Sequence, residues 1–128
     1  MATATAQVVT QKEISDYIGQ HAAWKTRLHK ALEDGGADLD AAAIDVDNQC
    51  AFGKWLIGVG ASLAGDEHFR QARACHKEFH HAAAEIVRLI QAGKKDEAAA
   101  SLAMKGDFFK TSADLTLAMM NWRKSLPG

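Results

Sequence analysis

The sequence predicts an all-α protein, an antiparallel four-helix-type bundle with a short extra helix. Alanine accounts for 25 of the 128 residues, and the lone proline is Pro127. Alanine loses no side-chain entropy in a helix and proline breaks one, so long stretches are left free to be helical. Apolar residues then recur every three or four positions, which is the spacing of one helix face.

The first helix is expected over about Thr10 to Glu33, with Ile14, Tyr17, His21, Trp24, Leu28 and Leu32 on one stripe. Asp34-Gly35-Gly36 ends it, because glycine takes the left-handed conformation of a helix C-terminus. Residues 37–47 read as a connection with a short turn at Ala41–Ile44. The short extra helix follows, about Asn48 to Val59, with Asp47 placed to cap it and Cys50 in its first turn. Gly58, Gly60 and Gly65 loosen the next connection. A third helix spans about Asp66 to Gln91, with Phe69, Ala72, His76, Phe79, Ala83, Ile86 and Ile90 on its stripe, and Gly93 closes it. Lys95 to Lys124 is helical in propensity throughout. Gly106-Asp107 interrupts it, giving a short helix to about Met104 and a longer one with Phe108, Leu115, Met119 and Trp122 on its seam. Short connections favour antiparallel neighbours, and sites in such bundles form from inward side chains.

One domain is expected over residues 1–128, with 1–9 as a flexible extension or a partial helix start. Fifteen basic against 16 acidic side chains give a formal charge of −1, which attracts neither nucleic acid nor an anionic membrane. Two cysteines are too few for a secreted disulfide framework. No apolar run approaches the ~20 residues of a membrane span, and MATATAQVVTQKE is not a signal peptide. These features point to a cytoplasmic domain. There is no P-loop, dinucleotide fingerprint or Gly-x-Ser-x-Gly. Asp45-Val-Asp47-Asn48 starts like a calcium loop but lacks the glycine and the closing glutamate.

Three of six histidines fall on faces that should be apolar: His21 on the first helix, His76 and His80 on the third. A buried imidazole needs partners for both ring nitrogens. His76 and His80 are four residues apart and project from one side of their helix, so both can reach one metal ion. The same spacing also suits two ordinary interior histidines. Cys50 sits where the helix macrodipole favours thiolate, the form that binds metal, although a cysteine is commonly a small buried hydrophobe. Three imidazoles and one thiolate can fill a tetrahedral zinc shell. Asp47 suits an outer partner that offsets charge or a helix cap. Gly53 leaves room for a close helix approach. Trp24, Phe52 and Trp55 suit shielding of a site as well as plain core packing. His29 and His68 are expected to face solvent, and His81 and Cys75 to point away from the ligand side.

In order and spacing, His21-Ala-Ala-Trp24, Cys50-Ala-Phe52-Gly53-Lys-Trp55 and His76-Lys-Glu-Phe-His80 resemble the chemoreceptor zinc-binding (CZB) domain of bacteria. The resemblance implies one Zn²⁺ per chain on His21, Cys50, His76 and His80. It implies a cytoplasmic homodimer coupled to a chemoreceptor or a diguanylate cyclase, in cis or in trans. It implies a response to zinc, and in some members the zinc-bound cysteine responds to hypochlorous acid. That role falls on Cys50 here, with Asp47 as the acidic residue implicated in the response.

The expected function is therefore a non-catalytic zinc-binding sensory domain, since a filled four-ligand shell leaves no position for substrate. A hemerythrin-like di-iron bundle is the first alternative, and it needs more histidines and bridging carboxylates inside. A metal-free dimerisation bundle is the second.

Overall fold

The computed structural model describes residues 9–126 other than 38, 47–49 and 64, and the backbone alone at 59–62. Among the described residues six helices follow one another: α1 (Gln11–Asp34), α2 (Ala41–Asp45), α3 (Ala51–Leu63), α4 (Glu67–Gln91), α5 (Lys95–Leu102) and α6 (Asp107–Lys124). They pack as a helical bundle around α4, which touches every other helix.

Local chemistry sets the start of α1. The Thr10 side chain accepts from the Glu13 N–H at 3.1 Å, and Glu13 Oε1 accepts from the Thr10 N–H at 3.0 Å, a reciprocal capping box. Val9 and Ile14, the positions a hydrophobic staple pairs, are both buried. Of the expected extension or partial helix start over residues 1–9, only Val9 is described, and it is buried; residues 1–8 lie outside the described residues. At the other end Gly35 adopts φ +89°, and its N–H bonds to the Ala31 carbonyl.

The core lies along the α4 stripe. Phe69, Ala72, Phe79, Ala83, Ile86, Val87 and Ile90 are buried there, against Ile14 and Leu28 of α1 and Phe108, Leu115, Met119 and Trp122 of α6. Each large side chain contributes about 1.5–3 kcal/mol of gross hydrophobic stabilisation. Trp122 joins three helices, 5.7 Å from the Trp55 ring of α3 and 6.1 Å from the Phe69 ring of α4.

The structure shifts α3 relative to the sequence reading. It begins at Ala51 and runs through Gly58 and Gly60 to Leu63. A glycine costs a helix about 1 kcal/mol relative to alanine. Burial of Phe52 and Leu56 and packing of Trp55 and Leu63 against the core outweigh that cost. The short turn foreseen at Ala41–Ile44 is α2, whose first N–H groups, those of Ala42 and Ala43, are capped by Asp40. Between α5 and α6 a side chain on Gly106 would overlap the carbonyls of Ala100 and Ser101, so only glycine fits that close approach. Ser101 Oγ accepts from the Phe108 N–H at 3.1 Å there and helps to start α6.

Candidate metal centre

Two helices and the residue that precedes a third deliver four donors to one place. His21 projects from α1, and His76 and His80 project from adjacent turns of α4. All three are buried, at 5%, 0% and 3% exposure. Cys50 lies one residue before α3, not inside its first turn. Its carbonyl accepts from the Lys54 N–H, and its Sγ accepts from the Gly53 N–H at 3.3 Å. The thiol therefore occupies the N-cap position, where sulfur meets a backbone donor and the positive end of the helix. The Asp47 cap and outer-partner expectation lies outside the described residues.

The donor atoms of His21, Cys50, His76 and His80 all lie within 4.8 Å of one another. Cys50 Sγ is 3.3 Å from His76 Nε2, 3.5 Å from His80 Nε2 and 4.0 Å from His21 Nε2. His76 Nε2 and His80 Nε2 are 3.0 Å apart. A tetrahedral zinc with Zn–S about 2.3 Å and Zn–N about 2.0 Å sets its donors about 3.5 Å (S to N) and about 3.3 Å (N to N) apart. The cluster is close to that size.

Tautomers support the same reading. His21 Nδ1 donates to the Tyr17 carbonyl at 2.8 Å, and His80 Nδ1 donates to the Ile44 carbonyl at 2.9 Å. A carbonyl can only accept, so both Nδ1 atoms carry the proton and both Nε2 atoms of the neutral rings present a lone pair. Two lone pairs and a thiol aimed at one buried point suit a cation. His76 Nδ1 is buried and has no hydrogen-bond partner among the described residues.

Burial keeps His21 and His76 neutral. It lowers His21 from the ordinary 6.5 to about 4, a shift the Tyr17 carbonyl bond partly opposes. It lowers His76 to about 2, helped by the nearby His80 and His21. The unfolded chain therefore binds protons below about pH 6.5 that the folded, metal-free chain refuses, and stability falls with the pH. The expected slope reaches about 1.4 kcal/mol per pH unit for each histidine. For His21 it levels off near pH 4, and for His76 it continues towards pH 2. Urea midpoints of metal-free protein at pH 7 and pH 5 check this; equal midpoints would refute it.

Aromatic rings wall the cluster. Phe52, fully buried, meets the His21 and His76 rings edge-on, with centroids 5.3 and 4.9 Å away. Trp24 stands 6.3 Å from the His80 ring and carries Arg27 on its face. Trp55 stands one layer back, stacked on Phe52 at 5.9 Å. Gly53 is buried, and its contribution is the N–H given to Cys50. The sequence reading missed three groups as parts of the site. Phe79 touches the His21 ring at 5.2 Å, and its place on the stripe next to His80 was a usable signal. The Tyr17 carbonyl, four residues before His21, was legible from helix geometry. The Ile44 carbonyl had no signal in the sequence.

The remaining candidates lie elsewhere. His29 is exposed. His68 is half-buried, with Nδ1 out of solvent, so the expectation that it faces water is corrected. His81 pairs with Asp45 at 3.1 Å. Cys75 lines a groove between α4, α5 and α6 with Glu78, Ser101 and Asp114, and burial raises its thiol pKa. Neither cysteine is in a disulfide.

A family model described as the chemoreceptor zinc-binding domain matches residues 21–87, more than half of the chain and a span that holds all four donors. The chain belongs to this family. The CZB domain is a zinc-binding domain, and zinc is its cofactor. No curated protein and no solved structure gives a significant match. Among the described residues no carboxylate joins the donor cluster of this CZB domain, so the bridging groups of a di-iron bundle are missing from it. No helix among the described residues is long and apolar enough to cross a membrane.

Proposed function

We propose that this CZB domain is a non-catalytic sensory module of the bacterial cytoplasm that holds one zinc ion on His21, Cys50, His76 and His80. The observation that carries the reading is the convergence of three imidazole nitrogens and one sulfur within 4.8 Å. Four protein donors complete a tetrahedral shell, and no position is left at which a substrate would be activated. The bound ion would keep the thiol as thiolate and tie α1, α3 and α4 together through their side chains.

Cys50 is the element that an oxidant can change. It is half-buried, whereas the three histidines are buried. Its thiolate gives two electrons to hypochlorous acid, and the net products are Cys50 sulfenic acid and chloride. Sulfenic acid is a weaker donor than thiolate, and a thiol reductant restores the thiol. Because Sγ also caps α3, its oxidation removes a ligand and a helix cap in one step. α3 is then released from the cluster, which is a two-state change that a partner can read. The partner is a chemotaxis or cyclic-di-GMP signalling protein, in cis or in trans, and the domain works as a homodimer.

Zinc-loaded protein treated with an equimolar amount of hypochlorous acid is expected to release zinc and to lose hydrogen-exchange protection over residues 50–63. Thiol reductant plus zinc is expected to reverse both changes. Equal protection before and after oxidation would overturn the sensing mechanism. Purification with about two irons per chain would overturn the zinc reading in favour of the di-iron alternative.

A further inference from the structure

Four side chains of α4 reach the segment that carries α2. Gln91 Nε2 donates to the carbonyls of Gly36 at 3.0 Å and Leu39 at 2.8 Å. Arg88 Nη2 donates to Asp45 Oδ2 at 3.0 Å, and His81 Nδ1 lies 3.1 Å from Asp45 Oδ1. His80 Nδ1 donates to the Ile44 carbonyl at 2.9 Å. One carboxylate, that of Asp45, thus binds two α4 residues from the position next to the carbonyl that receives His80. The Ile44 side chain is buried in the core, so apolar packing holds the same point.

We propose that α2 is the positioning element of the metal centre: Asp45, gripped by Arg88 and His81, docks it on α4 so that the Ile44 carbonyl holds His80 Nδ1–H and turns Nε2 to the donor cluster. The inference rests on the ligand set proposed above and adds to it residues that touch no donor atom of the cluster. A neutral imidazole can carry its proton on either nitrogen, and only the form with the proton on Nδ1 can give Nε2 to a metal. A fixed acceptor for Nδ1–H selects that form and stops the ring from turning away. Tyr17 does this for His21 from within α1, where helix geometry guarantees the carbonyl. His80 has to take its acceptor from another element, and α2 supplies it.

Coupling of this kind is reciprocal: what holds α2 in place tightens zinc, and zinc tightens the docking of α2. The Asp45 contacts are partly solvated, and Asp45 acts one step away from the ligand. Its removal is therefore expected to cost less than the ~10–100-fold typical of losing a direct outer partner, about 3- to 30-fold in zinc affinity.

The test compares zinc affinity, by competition with a chromogenic chelator, in wild type, Asp45→Ala, Arg88→Ala and Glu78→Ala. The last removes an exposed α4 carboxylate outside this network. Asp45→Ala and Arg88→Ala change the charge near the site in opposite senses. Electrostatics alone would weaken zinc binding in the first and strengthen it in the second. Positioning weakens it in both, leaves Glu78→Ala at the wild-type value, and leaves the Tm of the metal-free protein nearly unchanged. Narrowing of the Tm gap between zinc-loaded and metal-free protein reports the same loss. Opposite shifts in the two variants overturn the inference, as does a metal-free Tm that falls by as much as the zinc-loaded one. Zinc bound equally tightly by all four proteins overturns this inference alone, whereas a wild-type protein that takes no zinc overturns the ligand assignment and this inference with it.

Discussion

Cys50→Ala is expected to weaken zinc binding by at least ~100-fold, the upper end of what losing a mere outer partner costs, while Cys75→Ala keeps the wild-type affinity. The difference follows from placement. Cys50 Sγ lies 3.3–4.0 Å from three imidazole nitrogens, and it is the one donor in the cluster that can carry negative charge. Without it, three neutral rings would hold a dication in a buried site with nothing to offset its charge, and desolvating such a charge is costly. Cys75 is the residue next to His76, yet it opens into the groove beside Glu78 and Asp114 on another side of α4. Elemental analysis after purification without added metal gives the first readout, about one zinc per chain in wild type and in Cys75→Ala and little in Cys50→Ala. Chelator competition gives the second. Equal affinities in the two variants would refute the ligand set.

Phe52→Ala is expected to lower the stability of the metal-free protein by about 3–5 kcal/mol, the range for deleting a buried aromatic ring. That is a large share of the ~5–15 kcal/mol that holds a domain together. Phe52 is fully buried. Its ring meets Tyr17 at 5.0 Å, Trp55 at 5.9 Å, His21 at 5.3 Å and His76 at 4.9 Å. Truncation leaves a cavity that these rings cannot all close, because α1, α3 and α4 each anchor one or more of them. It also takes away the wall that orients two of the donor imidazoles, so zinc affinity should fall as well. Trp24→Ala, at a half-buried ring, is expected to cost less. Denaturant unfolding of the metal-free proteins measures both. A loss below about 1 kcal/mol for Phe52→Ala would mean that the site collapses around the gap, as well-tolerated core changes do.

The helical class and most helix ends were legible because local chemistry decides them. Thr10 with Glu13, Asp66, and the glycines at 35 and 93 act within a few residues, and the helices begin and end beside them. The apolar stripes were legible for the same reason, since helical periodicity is a property of the chain. Where local and tertiary terms disagreed, the tertiary ones won. Gly58 and Gly60 marked a loop in the sequence, but α3 runs through them, because the burial of Phe52 and Leu56 is worth more than two glycines cost.

The amino-acid sequence by itself determined that this is an all-α chain with donor-type side chains on two apolar faces, and its motif spacing was enough to indicate the family. Periodicity and spacing are one-dimensional, and such features can be read directly. Only the tertiary structure decided that His21, Cys50, His76 and His80 meet within 4.8 Å, that Cys50 caps α3 rather than lying within it, and that His80 takes its acceptor from Ile44. Those outcomes depend on how separate helices dock. Docking is set by the summed burial of side chains far apart in the chain, and by backbone carbonyls that every residue carries alike. A carbonyl leaves no mark in a sequence, so the group that orients a proposed ligand became visible only when α2 was seated on α4.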